Sequence, residues 1–255
     1  MKKILALTVA LLLCVTLLTA CGGSNKLTVE KGKLHMATNA AFPPYEMTND
    51  KGGFEGIDVE VATKIAEKLD LELVVDDMDF NSVIAAVQTG KSDIAMAGLT
   101  VNEERKKNVD FTDSYATGKQ VIIVVEGSPI KTADDLFADG AKYVAGTQEA
   151  TTGNIYCSDD LGEDRCVAYT NGATAIQALL TGKVDCVVID NEPAQQFCKA
   201  NNTLKILETE YVTEDYAIGV SKENNELRDK VNAALKELIE DGTVKTIVDK
   251  YIVAE

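Results

Sequence analysis

The sequence predicts an α/β fold with two similar lobes, because one α/β unit occurs twice in the chain. Residues 84–97 and 176–189 each contain an apolar helical stretch, then Thr-Gly-Lys-x-Asp, then an apolar strand. Gly90 and Gly182 suit a left-handed cap at the helix end, and the strand that follows is apolar enough to be buried. Ligands in such folds bind beyond the carboxyl ends of the strands, so we expect a site between the lobes. The alternative is a common helix-to-strand connector that occurs twice by chance.

The other elements follow in a βαβ order along the chain. Residues 33–38 predict a first strand, and the prolines of the segment 40–45 exclude a helix after it. An amphipathic stripe of Val61, Ile65 and Leu69 predicts the first helix. The expected strands are 33–38, 71–75, 93–97, 121–125, 142–145, the strand of the second repeat, 204–207 and 216–220. The expected helices are 58–69, a repeat helix capped by Asn81 or Ser82, 132–135, one that opens within 146–153, the second repeat helix, one from 192, 226–240 and 242–251.

Lobe 1 is expected to consist of two separate chain segments and lobe 2 of one. Residues 33–116 and 217–255 would form lobe 1, and residues 117–216 would form lobe 2 with both hinge crossings. Two adjacent extended crossings near 117–120 and 213–215 would then act as a two-strand hinge, so we expect the lobes to close.

The first residues are predicted to direct export rather than to join the fold. Residues 1–20 combine a basic start, a long apolar run and small final residues, as in a signal peptide. Leu18-Thr19-Ala20-Cys21 resembles the bacterial lipobox, which implies a lipoprotein signal peptide, lipidation of Cys21 and a tether over residues 21–32. The alternative is an ordinary cleaved signal peptide with Cys21 in a tail. We expect an extracytoplasmic protein that is anchored to a membrane by its lipid.

Composition and cysteine content narrow the function classes. A net charge of −16 disfavours nucleic-acid binding, because phosphates would be repelled. Of the exported cysteines, Cys157 and Cys166 flank an acidic segment, residues 158–164, that is predicted to be a loop, and a disulfide between them is the preferred pairing. A second bond between Cys186 and Cys198 stays open, since Cys186 also fits a buried strand position. Zinc is disfavoured because no histidine accompanies these cysteines.

Residues 56–69, Gly-Ile-Asp-Val-Glu-Val-Ala-Thr-Lys-Ile-Ala-Glu-Lys-Leu, are similar to the signature of the polar amino-acid (family 3) extracellular solute-binding proteins. Further motifs of that family occur in its order: 41–46, 78–80, 97–100, 103–107, 110–112 and 188–190. The resemblance implies a type II periplasmic-binding-protein fold. It also implies a protein that binds a free L-amino acid and delivers it to the permease of an ABC importer. We expect a monomer without a cofactor.

The resemblance also assigns roles in binding the α-carboxylate and α-ammonium groups. Arg105 would clamp the carboxylate, because a planar guanidinium makes paired hydrogen bonds to it, with help from Thr100 and Thr151. Asp190 would bind the ammonium group together with the Gly98 carbonyl. Each assignment has an alternative: Arg105 as a solvated helix charge, and the threonines and Asp190 as helix caps.

The remaining predicted ligand contacts surround the side chain of the amino acid. Phe42 and Phe80 match the aromatic positions that sandwich the side chain in the family, although lone aromatics are also common in cores. Asn39 stands where relatives that bind glutamine or basic amino acids often have an aspartate, and Ala97 and Thr147 complete the set. We expect a glutamine-like polar amino acid, with arginine or lysine as the second choice. Glu149 departs from the usual small residue and either points outwards or adds a negative group at the rim.

Two other function classes compete with this interpretation. Some relatives are cyclohexadienyl or arogenate dehydratases that use the same cleft, but no catalytic set stands out, and His35, the only histidine, lies within the first strand. We therefore predict no enzymatic activity. A surface sensor or adhesin lipoprotein is the third class, for which the segment between Cys157 and Cys166 is the only suggestive feature.

Overall fold

The structure is a computed structural model that describes residues 26–207 and 212–252. The predicted signal peptide and Cys21 lie outside the described residues. The strands are β1 Lys33–Thr38, β2 Ala41–Phe42, β3 Glu46–Thr48, β4 Phe54–Glu55, β5 Glu72–Asp77, β6 Ile94–Ala95, β7 Val109–Val125, β8 Ala145–Gln148, β9 Cys166–Tyr169, β10 Cys186–Asp190, β11 Leu204–Ile206 and β12 Val212–Ser221. The helices are α1 Ile57–Lys68, α2 Phe80–Gln88, α3 Glu103–Lys106, α4 Asp134–Phe137, α5 Thr152–Leu161, α6 Gly172–Leu180, α7 Asn191–Ala200, α8 Asn225–Glu240 and α9 Thr243–Tyr251. Within these described ranges, no helix combines the length and the apolar character that crossing a membrane requires.

One long sheet connects the two lobes. Its strand order is β5-β1-β6-β12-β7-β10-β8-β9, with β11 paired to β7, and β2, β3 and β4 form a separate small sheet. The central pair β7 and β12 is antiparallel and extends from one lobe to the other, because β7 alone has 17 residues. The parallel strands β5, β1 and β6 lie on one side, and β10, β8 and β9 lie on the other. The predicted two-lobed α/β fold is confirmed.

The repeated sequence phrase corresponds to a repeated structural unit. Its strand, β6 or β10, lies between a parallel strand of its own lobe and one of the long antiparallel strands. In the first copy, Asp93 accepts the His35 N–H with Oδ2 at 2.8 Å and donates its own N–H to the His35 carbonyl at 2.8 Å. In the second copy, Asp185 makes the same two bonds with Val144, both at 2.8 Å. The aspartate therefore fastens each repeat strand to the strand beside it.

The glycines of the repeat end their helices as predicted. Gly90 has φ +67° and Gly182 has φ +70°, in the left-handed region that favours glycine. The following lysine N–H bonds back to the helix in both copies, from Lys91 to Ala86 at 2.8 Å and from Lys183 to Ala178 at 2.9 Å. These bonds satisfy carbonyls that the helix end would otherwise leave free.

The apolar residues form separate clusters in the two lobes. In lobe 1, α1 and α8 pack Ile65 and Leu235 beneath the sheet, and both side chains are fully buried. In lobe 2, Ile123 and Val187 form the centre of a second cluster. Burial of each such side chain contributes about 1.5–3 kcal/mol of hydrophobic stabilisation. Each side of the cleft is therefore supported by its own hydrophobic core.

The structure of the segment between Cys157 and Cys166 differs from its prediction. It is not a loop, because α5 continues to Leu161 and a short 3-10 helix covers Glu163–Arg165. The predicted disulfide is not formed in this structure, in which both cysteines are free thiols. The two cysteines nevertheless lie in one buried cluster, because α5 packs Cys157 against the first residue of β9. Cys186 and Cys198 are also free.

Other parts of the structure also differ from the prediction. Helix α2 begins at Phe80 after an extended Asp79, so neither Asn81 nor Ser82 is the cap residue. Strand β8 lies three residues later than expected. The last part of the predicted tether packs on lobe 1, where the Val29 N–H donates to Asp93 Oδ1 at 2.7 Å.

Candidate ligand-binding site

A cavity lies between the lobes, at the carboxyl ends of the two repeat strands. Its free space is about 440 Å³ when the opening to solvent is included. Both lobes contribute to its wall, which consists of Asn39, Phe42, Phe80, Ala97, Gly98, Thr100, Arg105, Gln120, Gln148, Thr151, Thr152, Val188, Ile189, Asp190 and Tyr216.

Arg105 provides a buried cation at one end of this cavity. The short helix α3 holds it in place, because Asn102 caps the helix by accepting the Arg105 N–H at 2.8 Å. The guanidinium donates to the Thr100 carbonyl at 2.9 Å and lies 5.4 Å from the centre of the Phe80 ring. Burial lowers the pKa of Arg105 to about 10, so the side chain stays charged at neutral pH. The alternative of a solvated helix charge is therefore wrong.

Asp190 provides a buried acid from the other lobe. It ends β10, is 1 % exposed and caps α7 by accepting the Glu192 N–H with Oδ1 at 3.1 Å. Its other oxygen accepts a hydrogen bond from the Tyr216 hydroxyl. Burial raises the pKa of Asp190 to about 7. The helix-cap role is thus confirmed, and the same carboxylate also faces the cavity.

The Gly98 segment brings backbone close to the aromatic wall of the cavity. Gly98 has φ +53°, and a Cβ there would lie 2.8 Å from a ring carbon of Phe42, so this position requires glycine. Its N–H donates to Asp58 Oδ2 at 2.8 Å. Asp58 lies in the first turn of α1 and fixes the peptide next to the cavity.

The two lobes touch directly across the cavity. The Gln148 amide donates to Asn39 Oδ1 at 3.0 Å, while the Asn39 amide donates to the Met78 carbonyl at 2.9 Å. Arg105 reaches the Ala150 carbonyl at 3.2 Å. This arrangement is closed, because side chains from both lobes bond over the site.

The N-terminus of α5 borders the cavity next to Arg105. Thr151 caps this helix by accepting the Asn154 N–H at 3.2 Å. Ala150 before it has φ +62°, a left-handed conformation that turns its carbonyl to Arg105. A helix N-terminus beside a fixed guanidinium favours a bound anion.

Glu214 supports this end of the site from the long strand β12. Its carboxylate accepts hydrogen bonds from Thr152 at 2.9 Å, from Gln120 at 3.0 Å and from Tyr156 at 3.1 Å. Its charge counteracts the lowering of the Arg105 pKa by burial. Among the residues that the structure describes, no group of three His, Cys, Asp or Glu side chains is placed to hold a metal ion.

Comparison with known proteins supports a single family. Residues 34–254 match the model for bacterial extracellular solute-binding proteins, family 3. This chain belongs to that family. The arginine-binding extracellular protein ArtP of Bacillus subtilis (strain 168) is 33 % identical over 262 residues, which cover 100 % of both chains.

Two solved structures of similar fold complete the comparison. An ancestral arginine-binding protein bound to glutamine has 36 % identity and a TM-score of 0.81, covering 88 % of this chain and 100 % of its own. The ancestral amino acid-binding protein AncCDT-1, described as a precursor of cyclohexadienyl dehydratase, has 29 % identity and a TM-score of 0.79, covering 87 % and 96 %. The type II fold that the family resemblance implies is confirmed.

Most predicted site residues of this family 3 protein line the one cavity, but Thr147 does not. Its hydroxyl accepts a hydrogen bond from Asn154 at 2.9 Å and lies 3.7 Å from the Cys166 sulfur, inside lobe 2. Because side chains alternate along a strand, the neighbouring Gln148 of β8 faces the cavity instead. Thr147 therefore lies outside the cavity wall, and Gln148 occupies the wall position on this strand.

The residues that sequence reasoning missed lie beside those that it found. Gln120 and Tyr216 lie at or beside the predicted hinge crossings, and Val188 and Ile189 precede Asp190 in the repeat strand. Their position next to expected site residues was the available signal. Glu149, which the sequence left open, is exposed to solvent.

Proposed function

We propose that this protein binds a free L-α-amino acid between its closing lobes and delivers it to the permease of an ABC importer. The observation that carries the proposal is the pairing of buried Arg105 and buried Asp190 on the wall of one cavity. A zwitterionic α-amino acid presents the two complementary charges on one carbon. Binding one ligand through both side chains ties the lobes together and favours the closed form.

The proposed orientation follows from the distribution of charge in the cavity. The ligand carboxylate lies against Arg105, with Thr100 and the α5 N-terminus at Thr151 as further donors. The ligand ammonium lies against Asp190 and the Gly98 carbonyl. Its side chain then extends between the remaining proposed contacts, which are Asn39, Phe42, Phe80 and Ala97.

We propose a neutral, glutamine-like side chain for the ligand, with arginine or lysine as the second choice. The Asn39 and Gln148 amides face the cavity from opposite lobes and hydrogen-bond to each other. Within the described wall of the cavity, Asp190 is the only carboxylate, and it is assigned to the ammonium group. A cationic side chain would therefore be buried without a counter-charge, which is unfavourable.

The proposed lobe boundaries are those expected from the sequence, 33–116 with 217–255 and 117–216. Support comes from β7 and β12, which pair from Val109 to Gln120 and cross between the lobes side by side. A single chain supplies both halves of the site, so we propose a monomer.

The family is extracytoplasmic, and we propose that this member is anchored by a lipid on Cys21 after removal of residues 1–20. The Leu18-Thr19-Ala20-Cys21 motif supports lipidation. We also propose that Cys157 and Cys166, which lie in one buried cluster, form a disulfide when an external disulfide oxidises them. Thiol counts before and after reduction test that bond.

Binding without catalysis is the favoured activity. His35 is bonded to Asp76 at 3.1 Å in lobe 1 and is not part of the cavity wall. The fold similarity to AncCDT-1 keeps a dehydratase as the second candidate, although that protein is itself described as amino acid-binding. Incubation with prephenate or arogenate distinguishes them, because an enzyme consumes the compound and a binding protein returns it unchanged.

Thermal unfolding of the chain from Ser24 onward tests the binding proposal. The protein is first unfolded and refolded to remove ligand, then heated with each common amino acid. At about 100 times the dissociation constant, binding adds roughly 2.7 kcal/mol and raises the Tm by several degrees. Arg105→Met should abolish the shift, and Lys106→Met, a change at an exposed neighbouring position, should not. No shift with any amino acid would overturn the proposal.

A further inference from the structure

Glu46, at the start of β3, is a buried carboxyl group whose two oxygens accept no hydrogen bond. Its side chain is 0 % exposed, and neither oxygen of the ionised carboxylate would have a hydrogen-bond donor to accept from. An ionised carboxylate in this position would be strongly unfavourable, because burial removes its water without replacing it. A proton on Glu46 removes the charge and converts one oxygen into a donor.

The acceptor for such a donor is Asp58. The chain near Glu46 lies on the first turn of α1, where the Asp58 N–H donates to the Tyr45 carbonyl at 2.9 Å and the Ile57 N–H donates to the Pro44 carbonyl at 3.0 Å. This packing places the Glu46 carboxyl group next to Asp58, so that a proton on Glu46 can be shared with the Asp58 carboxylate. Two carboxyl groups so close together and so buried cannot both be ionised at neutral pH.

The surroundings decide which of the two carries the proton. Asp58 accepts hydrogen bonds from the Gly98 N–H at 2.8 Å and the Tyr115 hydroxyl at 2.7 Å, and it lies at the N-terminal, positive end of α1. Glu46 has none of these partners. The environment therefore favours an ionised Asp58 and a protonated Glu46.

The charged and titratable groups around Glu46 favour the same assignment. Asp58 of α1, Asp190 of β10 and Asp77 of β5 all act on it as like charges. Tyr45 precedes it in the chain and Tyr115 of β7 shares its acceptor. Burial raises the pKa of Glu46 well above its ordinary value, and these carboxylates raise it further. Burial also raises the pKa of Asp58 to about 6.

We propose that Glu46 is a positioning residue of the ligand site, which keeps its proton at neutral pH and donates its O–H to the Asp58 carboxylate. Asp58, held in this way, fixes the Gly98 peptide on the cavity wall. The link from Asp58 to ligand affinity rests on the proposed function, whereas the shared proton does not.

Infrared spectroscopy of the whole mature protein tests the proton directly. At pH 7 the ligand-free protein should show the C=O stretch of a protonated, buried carboxyl group. Asp190, with a pKa of about 7, contributes its own band at this pH, so Asp190→Asn serves as the background. In that background the remaining band should disappear when Glu46→Gln is added and persist when Glu55→Gln is added, a matched change at an exposed position of the neighbouring strand β4. A spectrum in which Glu46→Gln removes no such band overturns the proposal, whether or not any amino acid binds.

Ligand affinity provides the second test. Glu46→Gln should change the dissociation constant by no more than about twofold, because its amide N–H replaces the donated O–H. Glu46→Leu removes the donor and should weaken binding by about tenfold. If Glu46→Leu does not fold, Glu46→Gln still decides: a folded variant with strongly reduced affinity means that Glu46 acts as a charged carboxylate and overturns the proposal. If wild-type protein binds no amino acid, the proposed function fails, and the infrared result still decides the proton.

Discussion

The two repeat units of this protein have the same backbone bonds but end in opposite chemistry. In lobe 1 the aspartate of the repeat, Asp93, is bonded to His35, and in lobe 2 its counterpart Asp185 is bonded to Val144 in the same way. After these aspartates, the lobe 1 strand leads to a glycine turn and then to Arg105, whereas the lobe 2 strand ends in Asp190. The difference teaches that the same structural unit can lead to a cation in one lobe and to an acid in the other. Together, Arg105 and Asp190 match the two charges of a zwitterion.

The largest expected effect is the loss of either charge. Asp190→Asn and Arg105→Met should each reduce affinity for the bound amino acid by about a hundredfold or more, since each leaves a buried ligand charge unpaired. Isothermal titration calorimetry measures the effect. The matched changes Glu192→Gln and Lys106→Met should retain affinity. If Asp190→Asn or Arg105→Met bound the amino acid with near wild-type affinity, the two strand ends would not supply opposite charges to one ligand.

Asp93 and Asp185, which fasten the two repeat strands, should affect the free energy of unfolding rather than ligand affinity, and they should affect it to different extents. Asp93→Ala leaves two backbone N–H groups without a partner, those of Val29 and His35, and should destabilise the protein by about 2–4 kcal/mol. Asp185→Ala leaves only the Val144 N–H and should cost about 1–2 kcal/mol. Urea unfolding of ligand-free protein measures both. Equal costs would mean that the Val29 contact contributes little.

The pH dependence of ligand affinity should come from Asp190, at the end of the lobe 2 strand β10. Asp190 has a pKa of about 7 in the ligand-free protein, and a bound ammonium group lowers that pKa, so binding releases a proton below pH 7. Affinity should therefore be full above pH 7 and fall by about tenfold between pH 8 and pH 6. Arg105, with a pKa of about 10, stays charged throughout. Calorimetry at pH 6.5 in two buffers of different ionisation enthalpy measures the proton, and an identical heat in both contradicts this assignment.

The smallest and most equal effect should come from the helix-ending glycines. A Cβ at Gly90 or Gly182 would meet no atom within 4 Å, so the cost of alanine is the left-handed conformation alone. Gly90→Ala and Gly182→Ala should each destabilise the protein by about 1–2 kcal/mol. Thermal or urea unfolding checks both. If the two variants lose free energies of unfolding that differ by more than about 1 kcal/mol, the two repeat units are not equivalent.

The same comparison shows why sequence reasoning succeeded in some regions. The repeat helices, their glycine ends and the strands after Lys-x-Asp depend on short-range pattern and capping, which the sequence displays directly. Strand β1 was predicted with the bounds that the structure has. Nine of the ten predicted ligand contacts line the cavity, because the resemblance supplied positions that local pattern alone leaves ambiguous.

The failures concern long-range contacts and polar strands. Of β7, only 121–125 and the extended crossing near 117–120 were predicted, since residues 109–116 contain many polar residues and become a strand by pairing with β12. The Asn39–Gln148 bond joins residues 109 positions apart, and no local pattern indicates it. Helix α5 was taken for a loop after residue 157 because its acidic end has no apolar stripe, and only Gly162, with φ +81°, ends it.

The most direct test of the account uses the amino acid that gives the largest thermal shift. Its calorimetric affinity is compared with those of the analogue without the α-amino group and the analogue without the α-carboxyl group. We expect both analogues to lose about a hundredfold or more in affinity, the first through Asp190 and the second through Arg105. Retained affinity for either analogue would contradict the claim that the two lobes hold opposite ends of one zwitterion.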